Sequence, residues 1–135
     1  SEFAMLLLVS GNWHTLSRLE KDLDKLSEDG NLQVSIKKTD VKPIEEDRMP
    51  YAVDVVALDQ QGIVVNLANF FTTRDIEIAD VATRSYAAAH TGAHMFAVQM
   101  AVNVPSSIHV AQLREEFLEL CDRLNLDAIL EPVKA

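Results

Sequence analysis

The sequence predicts an α+β protein whose main body is a four-stranded antiparallel sheet with two helices on one face. Three observations carry this expectation. Short runs such as Phe96, Val98, Met100 and Val102 alternate apolar with polar residues, the period of a half-buried strand. Between such runs lie apolar stripes at three- and four-residue steps, the period of an amphipathic helix. Hydrophobic residues make up 48% of the 135 residues, enough for one packed core and too many for a disordered chain.

The elements follow in order. Residues 3–10, FAMLLLVS, read as a buried strand ended by Gly11-Asn12. Trp13, Leu16, Leu19, Leu23 and Leu26 then mark an amphipathic helix, with Asn12 as its N-cap and Gly30 closing it. Leu32, Val34 and Ile36 alternate as a second strand, so residues 1–38 form a predicted β-α-β half-module. Residues 39–48, TDVKPIEEDR, read as a solvated linker, and its Glu45, Glu46 and Asp47 as solvated surface without chemistry.

Residues 49–135 form the longer unit. Tyr51 to Leu58 is a strand with Val53 and Val55 on one face, and Asp59-Gln60-Gln61-Gly62 is a turn. Ile63, Val64, Leu67, Phe70 and Phe71 form a helical stripe, Ile76 and Ile78 begin a strand, and Ala87 to Gly92 is a loose connection. The Phe96–Val102 strand follows. Pro105-Ser106-Ser107 opens a helix with a serine cap, and Val110, Leu113, Phe117, Leu120, Cys121 and Leu124 are its buried stripe. Leu126, Ala128 and Leu130 alternate in a last strand. The order β-α-β-β-α-β is the split βαβ, or ferredoxin-like, pattern. The half-module parallels the back half of this unit, FAMLLLVSGNW against MFAVQMAVNVP.

Charge and composition narrow the function. Twelve Lys and Arg stand against twenty-one Asp and Glu, a net charge of −9. Counterion release from phosphates needs clustered cations, so direct nucleic-acid binding is not expected; the acidic surface suits solubility or a basic protein partner. Cys121 is the single cysteine, which rules out an intramolecular disulfide and fits a reducing compartment. The apolar runs are too short for a membrane span, and the N-terminus lacks a signal-peptide pattern, so a cytoplasmic location is expected.

Fold alone does not settle function. RNA-recognition modules of this order need stacking aromatics, and aromatics are 6% here. Metal chaperones of this fold carry paired cysteines in the first loop, and acylphosphatases an arginine; this loop reads DQQG. Residues 57–81, ALDQQGIVVNLANFFTTRDIEIADV, resemble the ACT-domain signature, with an Asp-x-x-Gly-Ile-Val turn opening a helix. Gly62 permits close backbone approach, the helix start offers unpaired N–H groups to a carboxylate, and Asp59 can accept from an amino group. Such a loop suits a zwitterionic amino acid. The candidate ligand-binding residues are Asp59, Gln60, Gln61, Gly62 and Ile63, with no catalytic or metal residue and no cofactor.

Nearly the whole chain resembles the glycine cleavage system transcriptional repressor family, which has two tandem ACT modules. EFAMLLLVSGNWHTLSRLE is similar to the third strand and second helix of that family's first module. RMPYAVDVVALDQQGIVVNLANFF is similar to the entry into the second module. The strand, helix and strand that open the first module have no counterpart here, nor does that module's ligand loop. The resemblance implies a cytosolic, non-enzymatic regulator of the glycine cleavage operon. It implies action through a LysR-type activator rather than by reading DNA, with glycine as the signal. An alternative is the regulatory amino-acid-binding domain of a metabolic enzyme, and an acylphosphatase-like enzyme is a third reading.

Plainer readings stand beside these. Asp59 and Gly62 also fit a turn needed only for folding. His90 and His94, four apart, and the separate His14 and His109 fit surface histidines better than a zinc site. Cys121 fits a core thiol, Met95 and Met100 fit packing residues, and Trp13 fits either core or a partner hot spot. In the ferredoxin-like order 4-1-3-2, residues 1–38 supply strands 3 and 4 without the strand between them. A missing preceding segment or a second copy is therefore expected to complete this half, giving a homo-oligomer, a dimer in the simplest case.

The charge balance yields the first prediction. The purified protein alone is expected to form no salt-sensitive complex with operator DNA; such a complex in a gel shift would refute it.

Overall fold

The computed structural model describes residues 1–43 and 45–134, so positions 44 and 135 of the predicted linker and second unit lie outside the described residues. The chain forms two compact units, Ser1–Pro43 and Ile44–Ala135.

In the first unit a single helix, α1 (Trp13–Asp29), is the regular element. Asn12 caps it as its sequence position predicts: Asn12 Oδ1 accepts from the Thr15 N–H at 2.8 Å. Gly30 is the C-cap in an extended conformation, so the helix stops without a left-handed turn. The predicted strands at residues 3–10 and 32–38 are not formed; both segments lack a ladder among the described residues. The physical reason lies in how a strand is held. A strand exists through its neighbour's N–H and C=O groups, and these two segments have no strand to pair with. The apolar side chains remain exposed: Leu6 and Leu8 fully or nearly so, and Trp13 at 78%, which excludes Trp13 from a core.

The second unit runs β1 (Arg48–Leu58), α2 (Ile63–Thr72), β2 (Glu77–Ala87), β3 (His94–Pro105), α3 (Val110–Arg123) and β4 (Asp127–Pro132). All strand pairs are antiparallel, in the order β2-β3-β1-β4. This is the ferredoxin-like order. Alternation decides which face is buried. Tyr51, Val53, Val55 and Ala57 of β1 point to the helices, as do Val98, Met100, Val102 and Val104 of β3 and Leu130 of β4. Register aligns these rows, with Val53 opposite both Met100 and Leu130.

Helix α2 contributes Ile63, Leu67, Phe70 and Phe71 to the same core, and α3 contributes Leu113, Phe117 and Cys121. Three rings join the helices: Phe70, Phe71 and Phe117 lie with centroids 5.2–5.4 Å apart. Arg74 closes the rim, its guanidinium 3.9 Å from the Phe70 ring centre and its NH2 nitrogen 3.1 Å from Glu116 Oε2. Cys121 is part of this core, and burial, aided by Asp122, pushes its thiol pKa up to about 11, so it stays protonated and unreactive at neutral pH.

Several boundaries differ from the sequence reading: β1 begins at Arg48, inside the expected 39–48 linker, because Arg48 already pairs with Pro105, and Pro105 ends β3 instead of opening α3. Ile76 is buried but precedes β2. Helix α3 starts at Val110 behind His109, not behind a serine, because the Ser106 N–H donates to the Asp47 carbonyl at 2.8 Å and the chain turns once more before the helix. Gly92 breaks the β2–β3 connection with φ +68°, its N–H donating to the Ala88 carbonyl.

The ring cluster generates a prediction. Phe117→Ala should destabilise the unit by about 3–5 kcal/mol, since it leaves a cavity between two helices. Urea unfolding followed by circular dichroism will show a lower midpoint with an unchanged slope; a loss under 1 kcal/mol would contradict the packing described.

Candidate functional site

The loop from Asp59 to Ile63 links the central strand to α2, and each of its residues has a distinct role. The Asp59 N–H donates to the His94 carbonyl at 2.9 Å, extending the β1–β3 ladder by one bond and fixing where the chain leaves the sheet. Asp59, Gln60, Gln61 and Gly62 are exposed, whereas Ile63 is only 4% exposed and anchors the first turn of α2 in the core.

Gly62 is the N-cap, left-handed at φ +84°, with no side-chain cap bond. Its carbonyl accepts from the Asn66 N–H at 2.9 Å, the first bond of the helix. The N–H groups of the opening turn have no carbonyl within the helix to pair with. A Cβ at Gly62 would meet Asn66 Nδ2 at 3.5 Å, an ordinary contact, so the demand for glycine here is a backbone demand.

Gln60 serves as a brace. Its Nε2 donates to the Leu124 carbonyl at 2.9 Å, tying the loop to the C-cap of α3. That carbonyl lies where the helix has run out of intrahelical donors, and Asn125 turns the chain beyond it at φ +57°. The five predicted residues therefore divide. Asp59 and Gln61 present polar side chains at the surface, Gly62 provides the backbone, and Gln60 and Ile63 hold the loop in place.

Asn66 belongs with this group and escaped the sequence reading. Its carboxamide nitrogen lies over Gly62. The available signal was its position, the first polar residue of the stretch IVVNLANFF and one turn after Gly62. Carboxylate, carboxamides and helix-start N–H groups together offer acceptors for an ammonium group and donors for a carboxylate.

Other candidates are placed elsewhere. Among the described residues no three His, Cys, Asp or Glu side chains converge as metal ligands. An open groove of about 550 Å³ follows α3 and β4, lined by Arg114, Leu118, Ile129 and Lys134 among others, away from the loop. No helix among the described residues is long and apolar enough to cross a membrane.

Gly62 yields the sharpest prediction at this site. Gly62→Val should cost about 1–3 kcal/mol, because a β-branched residue is strained at positive φ. Gly92→Ala, also at positive φ but with open space around its added Cβ, is the comparison for strain away from the loop. Differential scanning calorimetry should show a lower midpoint for Gly62→Val; an unchanged midpoint would contradict the left-handed assignment.

No family model matches the chain. The glycine cleavage system transcriptional repressor of Escherichia coli is 24% identical over 132 residues, covering 98% of this chain and 70% of that protein. A solved structure assigned provisionally as such a repressor superposes with a TM-score of 0.66 at 24% identity, over 93% of this chain and 70% of that one. A protein of unknown function from Galdieria sulphuraria gives 0.60 at 19% identity; the chain covers just over half of it, 55%, using 70% of its own length. An ACT domain protein from Streptococcus pneumoniae gives 0.52 at 20% identity, over 62% of this chain and 89% of that one. The chain is thus similar along nearly its full length to glycine cleavage system transcriptional repressors, and its four-stranded sheet with two helices has the ACT-domain fold.

Proposed function

We propose that this chain is a non-enzymatic regulator, an amino-acid-responsive ACT module that represses glycine cleavage genes through a protein partner. The observation that carries the reading is the similarity to the repressor over 98% of the chain. The Asp59–Asn66 loop gives it a physical basis. A zwitterion of small side chain would set its carboxylate on the N–H groups opening α2 and its ammonium on Asp59. Glycine is the proposed ligand.

A net charge of −9 supports a protein partner over DNA. A LysR-type activator, whose DNA-binding surface is cationic, is the proposed partner, and complementary charge would speed their encounter. A cytoplasmic location is part of this proposal.

Isothermal titration with glycine, serine and the aromatic amino acids tests the ligand. Saturable heat with glycine that is lost in Asp59→Ala is the expected result. Glycine binding undiminished by Asp59→Ala would overturn the site, and no binding by any of these amino acids would overturn the sensing role. Co-purification with the activator tests the partner independently of either outcome.

A further inference from the structure

Both helices of the second unit lie on one face of the sheet, and the other face carries no helix of this unit. The register shows what that open face presents. Side chains alternate along a strand, so each buried row leaves a second set pointing away from the helices. On the two central strands this set is short. Ala52 of β1 pairs with Ala101 of β3, and Val56 pairs with Ala97. The three alanines are half-buried and Val56 is exposed. They form a lane two strands wide, about 10 Å, which matches the diameter of an α-helix.

The charges around this lane are mostly acidic. Asp54 sits at its centre, level with Gln99 on one side and Ile129 on the other. Asp80 of β2 flanks Ala101, and Glu131 and Asp127 of β4 flank Ala52 and Val56. All four carboxylates are exposed, and among the described residues none has an ion pair or a side-chain hydrogen bond. Arg84, the cation of these rows, lies over the Tyr86 ring at 4.9 Å.

That pattern decides what can cover the face. It offers phosphates no cationic cluster. A second copy laid face to face would set acid against acid. A wholly apolar segment would strip water from Asp54 and give it no partner. An amphipathic helix with Lys or Arg beside its apolar stripe meets every demand: short side chains let it approach, and its cations reach the flanking carboxylates. The groove along α3 and β4 suits such a helix less. Arg114 and Lys134 line it, and Arg114 Nε already donates to the Leu130 carbonyl at 3.1 Å.

We propose that the open sheet face is the docking surface for a cationic amphipathic helix of a protein partner, seated on the Ala52–Ala101 and Val56–Ala97 pairs with a Lys or Arg on Asp54. The inference rests on the reading of the chain as a partner-binding regulator and deepens it by naming the surface. It does not depend on the proposed amino-acid site.

The full chain tests it by titration with a fluorescein-labelled helical peptide of about 18 residues, Leu on one face and Lys on the other, beside its Leu and Glu counterpart. Anisotropy should show saturable binding of the Lys peptide and none of the Glu peptide. Asp54→Lys and Ala101→Gln should each weaken binding about tenfold with unchanged circular dichroism. Glu119→Lys makes the same charge change on exposed α3 and should leave binding unaltered. No saturable binding of the Lys peptide, or equal weakening by Glu119→Lys and Asp54→Lys, would overturn the inference. Self-association in sedimentation that Ala101→Gln abolishes would also overturn it, giving the face to a second copy. Co-purification with the LysR-type activator separates the two readings. An activator that fails to bind the unaltered chain overturns the partner reading; one that binds the unaltered chain and Asp54→Lys equally overturns the docking face alone.

Discussion

The second unit depends on β1. It is an interior strand, hydrogen-bonded on both sides by strands whose own buried rows align with it, β3 through the whole of its length and β4 through half. One face of a strand can be dry only if its neighbours place apolar side chains level with its own. Tyr51, Val53, Val55 and Ala57 meet that condition, and α2 and α3 then cover the resulting surface. The candidate loop is a by-product of this centrality. The chain must leave β1 and turn back over the sheet within four residues, and a left-handed glycine lets α2 begin at once with Ile63 already buried.

Most of the second unit was legible because two periods describe it. Alternation identified β1, β3 and β4, and the three-four spacing identified α2 and α3, down to the residues that become the core. What periodicity misses is where a polar backbone group finds its partner. The serine cap expected for α3 failed on this account: the Ser106 N–H is committed to Asp47, a residue 59 positions earlier, and no local pattern carries that information. The division of labour within the loop is of the same kind. Gln60 and Gln61 are identical in type and adjacent in sequence, yet one braces α3 and the other faces solvent.

The first unit shows the converse. FAMLLLVS has the composition of a buried strand, but composition describes a tendency that only a neighbour realises. Helix α1 forms without one because its bonds are internal and Asn12 caps it. The two flanking segments, whose bonds would have to be external, do not.

Arg114 has a consequence for how large an assembly of this protein can become. A sheet with two receptive edges can add copies at both ends without limit and grow into a fibre. A guanidinium holding the Leu130 carbonyl occupies an acceptor at one of those ends. What remains at that edge is a short strand, ended by Pro132, with one carbonyl fewer to offer an incoming chain.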